Sequence, residues 1–223
     1  MQLDIREQYN QFSNEFSVNQ QEKNQINRTM AYEMVNSHLA NSTVLDLCCG
    51  DGIDAGYFAQ QGAKVVGLDA SEGLINIAKA TYPHIRFDVG LAEKLPYADN
   101  QYDVVYSKYA IMTSADMEPI FKEVQRVLKP GGVFVYLVTH PIRQFMEKKQ
   151  HNANYFKKEI VDCVILDGTV TVKEPTHKFT EYFNKDFFEK FELVDYTEAY
   201  DPAAEMVNGA VYPGFMIIKA KKK

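Results

Sequence analysis

Short apolar runs alternate along much of this chain with segments in which apolar residues recur every three or four positions. The runs have the length of buried strands, and the wider spacing is typical of helices that bury one face. Strands are predicted near 43–47, 64–68, 84–88, 102–107 and 132–138, and helices near 52–61, 72–81 and 116–128. This alternation predicts an α/β fold in which a doubly wound, parallel sheet carries helices on both faces.

The alternation stops after His140-Pro141, and a different pattern follows. The predicted elements there are a polar helix over 142–157, a hairpin over 159–166 and 169–172, an extended segment over 177–183, a helix start over 184–190, and strands near 191–197 and 214–220. Asp167-Gly168 is a strong turn signal between the two hairpin strands. The region between the fifth strand and the final strand pair is therefore predicted to be an insertion.

A Gly-rich turn between two predicted strands carries the clearest chemical signal. The first strand holds Asp46, the turn holds Gly50 and Gly52, and the second strand ends at Asp69. Glycine lets the backbone turn tightly and approach a ligand closely, because it has no Cβ. In such sheets ligands bind beyond the carboxyl ends of the strands, where the Asp69 carboxylate can accept hydrogen bonds from both hydroxyls of a ribose. The pattern predicts a site for a ligand with a ribose and a positive charge.

A dinucleotide site is the alternative, because Gly50, Gly52 and Ala55 formally fit the dinucleotide fingerprint. That fingerprint places a pyrophosphate at the N-terminus of the helix, where the helix dipole favours anions. Here Asp51 and Asp54 open the helix, and the turn contains no Lys or Arg. These residues suit a pyrophosphate badly, so an NAD-dependent oxidoreductase is kept only as the alternative function.

Four motifs of the chain resemble those of class I S-adenosylmethionine-dependent methyltransferases. The similarity is to the small-molecule branch (ubiquinone/menaquinone-type, methyltransferase type 11). The motifs are residues 44–52, 66–71, 92–97 together with 101–105, and 124–132. The resemblance implies a Rossmann-like, mostly parallel, seven-stranded sheet whose last strand is antiparallel. It also implies S-adenosyl-L-methionine as cofactor, S-adenosyl-L-homocysteine as product, and methylation of a small molecule on oxygen, nitrogen or carbon. A non-catalytic protein that binds this cofactor is a further alternative.

The resemblance implies one methyltransferase domain over residues 1–223. In it, 1–40 form an N-terminal helical lid, 41–140 the cofactor-binding core, 141–185 a substrate-lid insertion between the fifth and sixth strands, and 186–223 the final strand pair. Tyr9, Phe12 and Phe16 follow helical spacing on one side of the first segment. They indicate either a helix packed on the sheet or a lid over the cofactor, and one helix can do both.

The cofactor contacts that follow from these motifs come from the lid, the glycine turn and the ends of three strands. The expected cofactor-binding residues are Tyr9, Asp46, Cys48, Gly50, Asp51, Gly52, Asp69, Ala70, Ala92, Glu93, Ser107, Tyr109 and Met112. The chain departs from the family pattern at Cys48, where glycine is usual, and at Leu91, where an acid often holds the adenine amino group. We expect Cys48 to narrow the turn near the methionine end, and the Ala92 amide and Glu93 to replace the missing acid.

Two histidines are candidates for a general base, which methylation of an oxygen acceptor requires. His140 follows the fifth strand directly, and His177 lies in the lid beside Glu181. The alternative for a histidine next to proline is a turn or a hydrogen-bonding role alone. Aromatic residues in the lid suggest a small, partly apolar acceptor, or they build the core of the lid itself.

Composition narrows the partners and the location. The net charge of −6 argues against general nucleic-acid binding, which needs a basic surface. Three cysteines do not make a disulfide framework, and no spacing typical of metal ligands is present. No apolar run suits a signal peptide or a membrane span. We therefore expect a cytoplasmic protein with a small-molecule acceptor, no metal, no nucleic acid and no membrane partner.

Overall fold

The computed structural model describes residues 5–20, 25–148, 154–165, 170–201, 207 and 209–223. The helices are α1 (Ile5–Gln11), α2 (Ser13–Gln20), α3 (Gln25–Val35), α4 (Ile53–Gln60), α5 (Glu72–Thr81), α6 (Glu118–Val127), α7 (Pro141–Arg143), α8 (Phe179–Tyr182) and α9 (Lys185–Lys190). The strands are β1 (Thr43–Leu47), β2 (Lys64–Asp69), β3 (Arg86–Val89), β4 (Tyr102–Lys108), β5 (Leu128–Thr139), β6 (Ile160–Ile165), β7 (Val170–Pro175), β8 (Phe191–Ala199) and β9 (Phe215–Lys222).

Seven of these strands form one sheet in the order β3-β2-β1-β4-β5-β9-β8. The strands from β1 to β5 pair in parallel, whereas β9 lies antiparallel to both β5 and β8. Chain order reverses beside β1, which is the place where open α/β sheets bind their ligands. The predicted doubly wound, mostly parallel, seven-stranded sheet is confirmed.

Helices cover both faces of the sheet, and the two-residue period of each strand decides which face a side chain meets. Val44 packs with α3 and α4 on one face, whereas Leu45 and Leu47 pack with α6 on the other. Along β4, Val104 likewise packs on the α3–α4 face. Asp46 and Lys108 occupy even-numbered positions of the same two strands, so both point to the side of α4. This register brings charged residues together at the ligand-binding edge.

The inserted region differs from the expectations in two places. The polar helix predicted over 142–157 is confirmed over 142–148, where α7 continues into a π-helical turn (Gln144–Lys148), and it is wrong over 154–157, which are not helical. Residues 149–153 lie outside the described residues. The extended segment predicted over 177–183 is also wrong, because α8 forms there.

The predicted hairpin is present as β6 and β7, which pair antiparallel between β5 and β8 in chain order. Its predicted turn, Asp167-Gly168, lies outside the described residues. None of the helices described is both long and apolar enough to span a bilayer.

Candidate functional site

A cleft opens where β1, β2 and β4 end, enclosing about 740 Å³ of empty space with its open mouth included. It is lined by Arg6, Tyr9, Phe16, Arg28, Asp46, Cys48, Cys49, Gly50, Asp51, Asp54, Asp69, Ala70, Ser71, Leu74, Lys108, Tyr109, Ala110 and Thr113. The lining includes the predicted residues Tyr9, Asp46, Cys48, Gly50, Asp51, Asp69, Ala70 and Tyr109. It does not include Gly52, Ala92, Glu93, Ser107, Met112, His140 or His177. The glycine turn and the N-terminal helices thus meet at one cleft.

The turn after β1 has three residues in the left-handed backbone region. The φ angles of Cys48, Gly50 and Gly52 are 59°, 55° and 83°, and a side chain at such an angle is strained by roughly 1–2 kcal/mol. A Cβ on Gly52 would lie 2.9 Å from the ring of Phe87. Gly52 therefore lets the turn pack closely on Phe87, away from the cleft, whereas Cys48 and Gly50 line the cleft.

The carboxylate of Asp69 closes this turn. Its Oδ2 accepts a hydrogen bond from the Gly50 amide at 2.9 Å, and its Oδ1 accepts one from the Ser71 amide at 2.8 Å. Burial raises the pKa of Asp69, and these amide hydrogen bonds oppose that shift. Each carboxylate oxygen has a second lone pair, so Asp69 can still accept two hydroxyl groups from a ligand in the cleft.

A buried ionic cluster lies beside the turn. The Asp54 carboxylate accepts hydrogen bonds from Arg28 at 2.9 Å and from the Tyr32 hydroxyl at 2.6 Å, and Lys108 Nζ lies 3.4 Å from its second oxygen. Burial alone would raise the pKa of Asp54, but Lys108 and Arg28 hold it below its usual range. This cluster places two cations and one carboxylate in the wall of the cleft.

Asp46 is the polar group whose hydrogen bonding is incomplete at this site. It is 2% exposed, and its Oδ2 has no hydrogen-bond partner among the described residues. Burial and the neighbouring Asp54 raise the pKa of Asp46. An unsatisfied buried carboxyl group costs about 1–3 kcal/mol, and a ligand group that donates a hydrogen bond would remove that cost. Across the lining, four carboxyl groups face three cations.

The N-terminal helices form the outer wall. Tyr9 and Phe16 both line the cleft, and their rings meet edge to face with centroids 5.6 Å apart. Burial, together with the nearby carboxyl groups of Glu174 and Asp69, raises the pKa of Tyr9 well above its usual value. Its hydroxyl therefore stays protonated and can donate a hydrogen bond to a ligand.

The predicted contacts after β3 and β4 divide between cleft and core. Tyr109 lines the cleft, and its hydroxyl accepts a hydrogen bond from the Asn27 amide at 2.6 Å. Ser107 and Met112 are buried away from the cleft lining. Ala92 is buried as well, and Glu93 accepts a hydrogen bond from the Ser114 hydroxyl at 3.0 Å.

His140 is buried behind the cleft rather than in its lining. Its Nδ1 accepts a hydrogen bond from the Ile142 amide at 3.1 Å and thereby caps α7, and its Nε2 lies 3.2 Å from Glu198 Oε2. Burial lowers the pKa of His140, with Glu198 opposing the shift. The contacts that the structure shows for this ring are thus a helix cap on one nitrogen and a neighbouring carboxylate on the other.

His177 connects the insertion to the loop after β4. Its Nδ1 lies 2.8 Å from Glu181 Oε2, and its Nε2 lies 2.8 Å from the Met112 carbonyl oxygen. Burial alone would raise the pKa of Glu181, but hydrogen bonds from His177 and Lys158 lower it to about 2. Both ring nitrogens of His177 are therefore engaged within the protein.

Ten lining residues are absent from the expected cofactor contacts, and the three cations are among them. They are Arg6, Phe16, Arg28, Cys49, Asp54, Ser71, Leu74, Lys108, Ala110 and Thr113. Lys108 carried a detectable signal, because a charged residue at the end of an apolar strand has to face a polar site. Arg28 carried none, since it lies on a polar helix far from the motifs in sequence. Within the described part of the chain, no group of three or more His, Cys, Asp or Glu residues is arranged to hold a metal ion.

Comparison with known proteins places this geometry in context. Residues 45–136 match the family described as "Methyltransferase domain". An uncharacterized methyltransferase of Synechocystis is 46% identical over 99 residues, covering 44% of this chain and 47% of that protein. A demethylmenaquinone methyltransferase of Chlorobaculum parvum is 38% identical over 115 residues, covering 51% of this chain and 47% of that protein. The chain therefore spans about half the length of these curated relatives.

Solved structures match over a larger share of the chain. One from Listeria monocytogenes, provisionally described as an S-adenosylmethionine-dependent methyltransferase, is 26% identical with a TM-score of 0.69 and covers 88% of this chain and 99% of that one. An S-adenosylmethionine-dependent methyltransferase from Mesorhizobium loti is 22% identical with a TM-score of 0.71, covering 87% and 96%. At that identity the second likeness supports the fold alone.

Proposed function

Because the chain belongs to the class I S-adenosylmethionine-dependent methyltransferases, we propose that it transfers a methyl group from S-adenosyl-L-methionine to a small-molecule acceptor. The observation that carries this proposal is the pairing of Asp69, which can accept two ribose hydroxyls, with an incompletely bonded buried Asp46 in one cleft. When bound, the cofactor supplies a methyl group on a positively charged sulfur, and the acceptor takes it by in-line displacement.

The residues of the cleft fit the ribose and the methionine part of this cofactor. Asp69 would hold the ribose, and Asp46 would accept from the ammonium group of the methionine part. Arg28 and Lys108 offer positive charge to its carboxylate. The excess of carboxyl groups over cations in the lining suits a ligand with a net positive charge, and it suits the pyrophosphate of NAD badly. Holding both reactants in line can lower the activation free energy by about 7–11 kcal/mol.

We propose that the acceptor is a small ring compound of the quinol type. The support is the name of several relatives, demethylmenaquinone methyltransferase, from proteins of which this chain covers about half. The general-base roles of His140 and His177 stay predictions, and the contacts of both rings favour positioning roles. The division into one domain with a substrate lid and the cytoplasmic location also stay predictions.

Calorimetric titration with S-adenosyl-L-homocysteine and, separately, with NAD tests the cofactor. We expect micromolar binding of the first ligand and none of the second. Binding of NAD alone would overturn the proposal and make the glycine turn a dinucleotide site. Failure of both ligands to bind would also contradict it, since the cleft would then not be a nucleoside site.

Turnover tests the enzyme. Purified protein with S-adenosyl-L-methionine and a short-chain naphthoquinol should release S-adenosyl-L-homocysteine and a product heavier by one methylene unit. The matched control is the same mixture with the naphthoquinone, which lacks the hydroxyl and the electron-rich ring of the reduced form. Tight cofactor binding without turnover on any small acceptor would favour a non-catalytic binding protein.

A further inference from the structure

The inner face of the β6–β7 hairpin depends on the N-terminal segment for its apolar cover. Its buried core consists of Val161, Cys163, Val170 and Val172, and Phe12 is the described residue from outside the hairpin whose apolar side chain packs against that core. A two-stranded hairpin alone is at best marginally stable in water. Phe12 therefore adds apolar packing that the two strands cannot supply to each other.

The same segment also binds the free edge of the hairpin. The side-chain amide of Gln8 accepts a hydrogen bond from the Lys173 backbone N–H at 2.7 Å and donates one to the Lys173 carbonyl at 3.4 Å. One carboxamide thus pairs with both backbone groups of a residue on β7, as an added strand would. Two independent contacts, one apolar and one polar, fasten the segment to the hairpin.

On its other side the segment is fastened to the cofactor site. Asn10 Oδ1 accepts hydrogen bonds from the Ser71 hydroxyl at 2.7 Å and from the Gly73 amide at 3.1 Å, at the start of α5. The Ser71 amide in turn donates to Asp69. Tyr9 and Phe16 line the cleft itself. The segment is therefore both a wall of the cofactor cleft and a support of the hairpin.

We propose that residues 6–16, the N-terminal tie, couple occupancy of the cofactor cleft to the stability of the β6–β7 hairpin, with Gln8 and Asn10 as positioning residues. A ligand that contacts Tyr9 and Phe16 holds the tie down, and the tie holds the hairpin. The surface that the insertion offers to an acceptor is then complete only after the cofactor has bound. This inference rests on the proposed function, because it needs a nucleoside ligand in the cleft.

The coupling predicts a change in hydrogen exchange of the hairpin amides when a ligand occupies the cleft. No described hairpin residue lines the cleft, so a ligand there cannot protect the hairpin by touching it. If opening of the hairpin requires release of the tie, ligand at about 100 times its Kd should slow hydrogen exchange of the hairpin amides by up to about a hundredfold. Linkage is reciprocal, so the closed hairpin favours ligand binding by the same factor by which the ligand favours hairpin closure.

Hydrogen–deuterium exchange of residues 160–165 and 170–175, with and without S-adenosyl-L-homocysteine, tests the proposal. We expect slowing by more than about tenfold at saturation in the unmodified protein. The variant Gln8→Ala removes two hydrogen bonds between the tie and the hairpin and should reduce that slowing by about fivefold. Gln11→Ala, an exposed change of the same type in the same helix, is the matched control and should leave the slowing unchanged.

Calorimetry on the same samples separates the outcomes. Ligand binding without any slowing in the hairpin would overturn the coupling and leave the proposed function intact. Equal behaviour of Gln8→Ala and Gln11→Ala would overturn the role of the Gln8 contact. Absence of ligand binding would overturn the proposed function, and the coupling to the cofactor with it.

Discussion

Replacement of Asp69 by asparagine is the sharpest test of the cofactor site, because this carboxylate has both a structural and a binding role. Charge-assisted hydrogen bonds are worth about 1.5–3 kcal/mol each. The side-chain amide introduced by Asp69→Asn would keep one carbonyl oxygen and lose the charge and the second acceptor. We expect a loss of about 3 kcal/mol in binding, which is about 150-fold in the Kd for S-adenosyl-L-homocysteine measured by calorimetry.

The structural role of the carboxylate has to be separated from that loss. Asp69 accepts hydrogen bonds from the Gly50 and Ser71 backbone amides. In Asp69→Asn one of these amides faces the side-chain NH₂ group and loses its hydrogen bond, which costs about 1–3 kcal/mol of folding free energy. Asp103→Asn is the matched control: this carboxylate accepts the Thr43 backbone amide at 2.8 Å, but it lies at the opposite edge of the sheet. Asp103→Asn should lower the urea midpoint without changing the Kd. A Kd for Asp69→Asn no higher than that of the control would refute the assignment.

Three further predictions concern Gly52 in the turn after β1, Glu181 in the inserted region, and His140 at the start of α7. Gly52 has a φ of 83°, and a Cβ added there would lie 2.9 Å from the Phe87 ring. Gly52→Ala should therefore lower the free energy of unfolding by about 2 kcal/mol or more. Gly62→Ala, which has similar φ but open space, should cost less, and equal costs would contradict the steric argument. The pKa of Glu181, about 2 when folded and about 4.3 when unfolded, means that this carboxylate stabilises the fold above pH ~4.3. That contribution should disappear as the pH falls toward 2. Glu181→Gln should therefore destabilise by about 1–3 kcal/mol at pH 7 and by almost nothing near pH 2 in denaturant titrations. His140→Asn keeps an acceptor for the helix cap, so kcat should stay within about threefold, whereas a fall of about 10²-fold or more would establish a base role.

The elements that could be predicted are those whose signals are local. The start of α5 is one: the Ser71 side chain accepts a hydrogen bond from the Leu74 amide, and the helix then spans Glu72–Thr81 as its apolar spacing predicts. The strand β1 is another, because a short apolar run between polar residues leaves few alternatives. In both cases the sequence neighbours that form the element also stabilise it.

The errors arose where distant residues decide the local structure. The segment Phe179–Tyr182 contains three residues that favour strands, yet it forms α8. The contact between His177 Nδ1 and the Glu181 carboxylate and the complete burial of Tyr182 stabilise that turn. Neither interaction can be deduced from propensity, since both depend on where the insertion packs. Tertiary contacts therefore overrode the intrinsic preference of these residues.

The candidate site shows the same division, and the informative part was the unpredictable one. Gly50, Gly52 and Asp69 fit both a nucleoside and a dinucleotide site, so the motif alone could not separate the two. What separates them is the Oδ2 of Asp46, unpartnered within the described part of the chain, which calls for a hydrogen-bond donor on the ligand. Arg28 and Lys108 alone would also suit an anion, but both lie against the Asp54 carboxylate. A core evolved for stability alone gains little from buried charges, and an unpartnered oxygen on Asp46 adds a cost. The open oxygen of Asp46 is therefore best explained as half of an interaction that a hydrogen-bond donor on a cationic nucleoside completes, and an ionised pyrophosphate carries no such donor.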